Sequence, residues 1–348
     1  MTARAYLDWN ATAPLRPEAK IVMAEAMVLV GNPSSVHSEG RAARAVIETA
    51  RAQISDAFGA SGGDIVFTSG ATEAAALAMA GRAKHCAGIE HEAVLAWATA
   101  DLTTDMQGFV NVDDPRSCCL QLANSETGVI QELPQDLAVT DATQAFGKVP
   151  VAFSWLGADM ALISSHKLGG PNGVGALVLK QGLDVESRIR GGGQEMGRRS
   201  GTENLIGIAG FGAAAQVAAR DLADGIWEPV ASLRDLMEMA IADGSPDTIF
   251  AGQGAPRLPN TSCIVTPGWK GETQVMQMDL AGFAISAGSA CSSGKVRASR
   301  VLQAMGYDDV SCASAIRISL GPETKKEDVM RFTDTWIAAH KKYRAKAA

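Results

Sequence analysis

The sequence predicts an α/β protein: a large unit with a mainly parallel sheet covered by helices, followed by a smaller α+β unit. Three observations predict it. Short β-branched runs at 64–67, 118–123, 138–140, 160–164 and 174–179 alternate with helix-period stretches, the pattern of strands buried on both faces of a parallel sheet. Beyond residue 225 the strand candidates shorten to 249–250, 262–265, 284–286 and 315–320, separated by helical patterns at 272–280, 298–305 and 325–342. The 348 residues also exceed the roughly 100–200 of a single domain.

In chain order, 17–30 and 38–58 space their apolar residues as helices, and a third helix opens at Ala71 and runs to about residue 84. The Ala-rich run 204–223 predicts a buried helix joining the two units. The division expected is 15–225 for the large unit, with 1–14 and 226–348 forming the small one. Between Ile130 and Asp141 only ten residues intervene. A parallel crossover ordinarily needs about a dozen or more, so one covering helix is expected to be reduced or missing.

Composition narrows the function. Thirty-one Lys+Arg against 38 Asp+Glu give a net charge of −7, with 47% hydrophobic residues. That excludes a disordered chain and argues against a nucleic-acid surface. The start MTARAYLDWN lacks an apolar signal core and no run approaches about 20 apolar residues, so a cytoplasmic protein without membrane attachment is expected. The six cysteines show no C-x-x-C pair and no metal-ligand spacing, so reduced thiols and no metal site are expected.

Chemistry concentrates where the 36 glycines cluster. Ser164-Ser165-His166-Lys167 follows an apolar strand and runs into Gly169, Gly170 and Gly173. A lysine capping a strand end is normally solvated, but one framed this way suits Schiff-base chemistry in a partly desolvated site. Asp141, in DATQ, ends the preceding strand, where a carboxylate reads either as a helix cap or as a group facing a ligand crevice. FTSGATE, 67–73, reads equally as a capping box or as an anion site at a helix start. The loop 191–202 (GGGQEMGRRSGT) is glycine-rich and cationic. In 286–294 (SAGSACSSG), Cys291 sits among small polar residues with Lys295 and Arg297 nearby, the setting of a nucleophilic thiol; the other five cysteines lack it.

Together these motifs, with YLDWNATAP at 6–14, GNPSSVH at 31–37, ANSETG at 123–128 and RISLG at 317–321, resemble the NifS/IscS-like cysteine desulfurases of the class V aminotransferase family. The resemblance runs nearly end to end. It implies the PLP-dependent transferase fold (fold type I), the cofactor pyridoxal 5'-phosphate, and a homodimer with shared active sites. It implies that Lys167 carries the cofactor, that Asp141 holds the pyridinium nitrogen, and that His91 stacks on the ring and moves protons. Gln144 would bond the phenolic oxygen, with Asn124 near that oxygen and the substrate. Ala71, Thr72, Ser164 and His166 would hold the phosphate, joined by Thr202 of the other subunit. Arg317 would clamp the carboxylate of L-cysteine, and Cys291 would take its sulfur as a persulfide. An acceptor scaffold or carrier protein would follow, for iron–sulfur cluster assembly or another sulfur-using pathway. Departures from the family pattern are Ala75-Ala76, the short 130–141 connection, and Asn172 and Met196 where basic residues are common. The alternatives are a selenocysteine lyase or other class V enzyme, and an inactive scaffold paralogue.

Overall fold

The computed structural model describes residues 4–82, 84–288 and 298–347. The chain starts with strand β1 (Ala5–Tyr6), then helices α1 (Pro17–Met27) and α2 (Ser38–Ala57). Next come β2 (Asp64–Thr68), α3 (Ala71–Met79), β3 (His85–Ala87), the single-turn α4 (Glu92–Leu95) and β4 (Thr99–Leu102). The strands β5 (Cys119–Gln121), β6 (Val139–Asp141), β7 (Met160–Ser164) and β8 (Gly175–Leu179) follow, then the long helix α5 (Leu205–Ala223).

The central sheet has the order β2-β8-β7-β6-β5. β8 runs antiparallel to both neighbours, while β7, β6 and β5 are parallel. A parallel bridge from His85 to Cys118 brings the β3–β4 pair alongside β5. Period-two alternation sends Ile65, Phe67, Ala161, Ile163, Ala176 and Val178 into one core and Val66, Met160, Leu162, Leu177 and Leu179 into the other. Because both faces are covered, the strands read as continuous apolar runs. α1, α2 and α5 cover the first face and α3 and α4 the second. The small residues of α5 permit this: a Cβ on Gly212 would lie 2.6 Å from the Ala50 backbone of α2. This long apolar helix is therefore a buried core element.

The short connection behaves as expected. No helix joins β5 to β6, and one turn of 3-10 helix (Phe153–Trp155) lies between β6 and β7. Leu102, Val110, Val112, Leu133 and Leu156 instead pack over Cys118, Leu120, Leu137 and Ala158.

The C-terminal part holds α6 (Trp227–Gly244), β9 (Ile249–Phe250), β10 (Thr261–Val265), α7 (Gly271–Leu280), β11 (Phe283–Ala284), β12 (Ser286–Ala287), α8 (Arg300–Ala304), α9 (Asp309–Ala313), β13 (Ala315–Ser319) and α10 (Lys326–Ala347). Its sheet, β12-β13-β10-β9, is antiparallel. A separate core of Trp227, Met237, Ile264, Trp269, Ile316, Phe332 and Trp336 fills it. β1 pairs with β11, and Leu7 enters that same core, so the N-terminal segment packs with the far end of the chain. Sequence reasoning missed β3, β4, α6 and α9. α6 hides because Pro229 interrupts its first turn, where no backbone N–H needs a helical partner.

Candidate active site

Thr68, Gln121, Asp141 and Ser164 end β2, β5, β6 and β7 at one edge of the sheet, the edge where ligands bind in open α/β folds. A cavity of about 570 Å³ opens there. Its wall includes Ala71, Thr72, His91, Asp141, Gln144, Ser164, His166, Lys167 and Arg317. These residues come from positions 71 to 317 and meet only because strand ends, the N-terminal segment and β13 converge.

The sheet-side wall is built from local turns. Lys167 sits in the 3-10 turn that ends β7, and its Nζ donates to the carbonyls of Asn10 (2.7 Å) and Ala11 (2.9 Å). Asp141 Oδ1 accepts from the Thr143 N–H at 2.9 Å, so the side chain is both a cap and a cavity wall. His91 caps α4, its Nδ1 accepting from Ala93 N–H at 3.1 Å. His166 stands 3.3 Å from the Thr12 hydroxyl, and burial, followed by the Lys167 charge, pushes its pKa down to about 4. It is therefore a neutral imidazole at physiological pH.

At the start of α3, Gly70 has φ 155°, which side-chain-bearing residues do not adopt easily. A Cβ on Gly175 would lie 2.7 Å from Gly70, so two glycines let this turn press on the sheet and aim the N–H groups of Ala71 and Thr72 at the cavity. Glu73 accepts from the Ser69 N–H at 2.7 Å and from Arg199 at 2.9 Å. Burial raises its pKa, but these bonds outweigh that and the net shift is downward. The cationic loop is thus anchored: Glu195 takes a bidentate bond from Arg51 at 3.0 Å, and Arg198 pairs with Asp64 and Asp184.

The opposite wall is tertiary. Arg317 on β13 donates to Asp8 at 2.7 Å and to the Ser125 carbonyl at 3.1 Å, and Ser286 donates to the other Asp8 oxygen at 2.7 Å. Two buried polar atoms on the wall, Thr143 Oγ1 and Arg317 Nε, have no hydrogen-bond partner among the described residues. The wall therefore offers an anion cup, a lysine, a carboxylate and unpaired polar groups to a planar, phosphate-bearing ligand, and the residues present fit pyridoxal phosphate.

Two expected site residues lie elsewhere. Asn124 does not line the cavity. Its Oδ1 accepts from the N–H groups of Glu126 (2.9 Å) and Thr127 (2.8 Å), and its Nδ2 donates to the Ile89 carbonyl at 3.1 Å. An amide buried in its own turn is a bracket for the 89–91 turn, and the turn brings His91 to the wall. Thr202 is exposed beside a separate cavity of about 80 Å³ with Ser69 and Arg199. Cys291, Lys295 and Arg297 lie outside the described residues; β12, which leads toward them, places Ser286 on the cavity wall. The five described thiols are buried, and burial raises each pKa, that of Cys86 to about 12, so they are poor nucleophiles.

Sequence reasoning gave no role to Asp8, Asn10, Thr143, Lys148 or Glu90. Glu90 is fully buried, accepts from Gln121 N–H at 2.7 Å, and burial drives its pKa well up. YLDWNATAP was the available signal for Asp8 and Asn10, but their partners stand 309 and 250 positions away.

The profile of the Aminotransferase class-V family matches residues 5–104 and 101–332. A cysteine desulfurase IscS of Dictyoglomus turgidum is 35% identical over 94% of this chain and 92% of its own. The crystal structure of a NifS-like protein from Rickettsia africae superposes with a TM-score of 0.88 at 30% identity, covering 97% of this chain and 99% of that one. A structure of SspA in complex with cysteine superposes with a TM-score of 0.75 at 26% identity over 92% of this chain and all of that one. With this sheet order, this cavity and these relatives, the chain belongs to the class V aminotransferase family, in its NifS/IscS-like cysteine desulfurase branch.

Proposed function

We propose that the cavity binds pyridoxal 5'-phosphate on Lys167 and that the protein converts L-cysteine to L-alanine, passing the sulfur to Cys291. The convergence of Lys167, Asp141, the α3 N-terminus and Arg317 on one cavity carries this reading. Bound to Lys167, the cofactor supplies an electron sink for charge developing at the substrate Cα. Ala71, Thr72 and Ser164, with neutral His166, hold the phosphate, and Asp141 keeps the ring nitrogen protonated. His91 covers the ring face. Arg317 would take the substrate carboxylate through its fork, and the Lys167 amine would take the Cα proton and return it. The Cys291 thiolate then forms a bond to the substrate sulfur. The Cβ–S bond breaks, its electron pair stays with carbon, and one proton at Cβ completes alanine. A reductant or an acceptor scaffold or carrier protein removes the persulfide sulfur, for iron–sulfur cluster assembly in the cell.

The test is incubation of the reconstituted protein with L-cysteine and reductant. Equal alanine and sulfide are expected, with sulfide lost in Cys291→Ser while the cofactor's visible band remains. Full activity in that variant sinks the proposed nucleophile.

We also propose a homodimer. Met27, Val28, Val30, Val36 and Met196 are 62–87% exposed, and Pro33 and Met196 line one cleft with Glu203, next to Thr202. An apolar face of this kind favours a partner subunit, and Thr202 beside it would then serve the partner's phosphate site. Light scattering at twice the 36.2 kDa chain mass is expected; a monomer overturns this part.

A further inference from the structure

Lys148 is a buried lysine, 3% exposed, with no carboxylate partner among the described residues. Its Nζ meets two acceptors, the Gln144 Oε1 at 2.6 Å and the Asn10 Oδ1 at 3.0 Å. A neutral amine has two N–H groups, matching those two acceptors; an ammonium would leave a third buried and unpaired. Burial, and then the Lys167 and Arg317 charges, lower its pKa well below the ordinary lysine range.

The bonds around it leave one arrangement of the amides. Gln144 Nε2 donates to the Asn10 carbonyl at 3.0 Å, the same oxygen that accepts from Lys167 Nζ at 2.7 Å. The Asn10 side chain is saturated: Oδ1 also accepts from Asn260 at 3.0 Å, and Nδ2 donates to Thr261 Oγ1 at 2.8 Å and the Ser125 carbonyl at 3.2 Å. Lys148 donates to Oε1, and a turned-over Gln144 amide would set Oε1 against the Asn10 carbonyl oxygen, so the amide is held in this orientation. One N–H of Gln144 is spent on the Asn10 carbonyl, which also holds Lys167 Nζ, and the second remains for a ligand in the cavity that Gln144 and Lys167 both line. On a pyridoxal ring joined to Lys167 Nζ, the neighbouring acceptor is the phenolic oxygen.

We propose that Lys148 is a positioning residue that acts as a hydrogen-bond donor to lock the Gln144 amide with its N–H, not its carbonyl, toward the cofactor's oxygen. The inference rests on the cofactor reading above. The donor stabilises the deprotonated phenolic oxygen, so its loss favours the protonated chromophore. The readout is the pH midpoint of the visible absorbance change in protein reconstituted with pyridoxal phosphate.

Lys148→Met is expected to raise that midpoint by about one to two units, the size of one hydrogen bond to a charged acceptor. In a Gln144→Leu background the same substitution adds no further shift, because the two act as one unit. Lys148→Gln keeps N–H donors without a titrating amine and stays close to the wild-type midpoint; this variant alone tests the proposal if the Met variant does not fold. A Lys148→Gln shift of about one unit, or full additivity with Gln144→Leu, overturns the role of Lys148. A wild-type protein that takes up no cofactor overturns the reading of the site instead.

Discussion

The two walls of the cavity are held by different means. On the sheet side several groups are fixed by a partner close in sequence, Asp141 by Thr143, His91 by Ala93, and Ser69 by Glu73, while Lys167 and His166 also reach the N-terminal segment. On the opposite side Asp8, Ser286 and Arg317 hold one another and Asn260 donates to Asn10, across separations of up to 309 residues. The sheet wall is a set of strand ends and caps that each short motif makes for itself. The far wall exists only when the N-terminal segment docks between β13 and β11. Substitutions on the first wall should therefore cost chemistry with little loss of fold, and on the second they should cost both.

The largest effect is expected for Lys167→Ala. Turnover should fall by about 10⁴-fold, the upper range for loss of a positioned proton-transfer group, while the urea midpoint stays near that of the parent; a large loss of stability would break the contrast. Asp8→Ala removes one member of a pair whose side chains are 6% and 15% exposed. Leaving Arg317 buried and unpaired costs about 3–5 kcal/mol, read as a lower urea midpoint together with a raised KM for cysteine. A change under about 1 kcal/mol, the range of exposed pairs, would show that the far wall does not depend on this ion pair.

Asn124→Ala sharpens the same comparison from within the first wall. Loss of its buried bonds should cost about 1–3 kcal/mol and loosen His91, with little direct effect on substrate KM. A KM rise without a stability loss would restore a direct substrate role. The smallest effect concerns pH. The folded site refuses a proton at His166 until about pH 4, whereas an ordinary imidazole accepts it at 6.5. Below 6.5 the unfolded chain binds more protons, so stability falls as pH drops from about 6.5 to about 4. His166→Asn should flatten that slope in urea titrations; an unchanged slope would assign it to other groups.

Much of this was legible in the sequence because it is local. The strands at 64–68, 160–164 and 175–179 read as short, nearly continuous apolar runs, and SSHK after an apolar strand reports a lysine at a sheet edge. The missing crossover helix followed from chain length alone. The bonds of Asn124 were not legible, because an Asn in a Gly-terminated turn satisfies its own backbone first and no spacing reveals where its remaining N–H points. Lys148 was silent for a related reason: a lysine in GKVP reads as solvated, and its burial depends on Asn10 arriving from the other end of the chain.

By itself, then, the sequence determined the order of strands and helices, the lysine and carboxylate at the sheet edge, and the glycine turn before α3, because backbone sterics and side-chain periodicity act over a few residues. Only the tertiary structure decided that Arg317 faces Asp8, that Asn124 bonds within its own turn, and that Lys148 is buried behind Gln144. Those outcomes depend on which groups are excluded from water together, and burial is a property of the packed molecule.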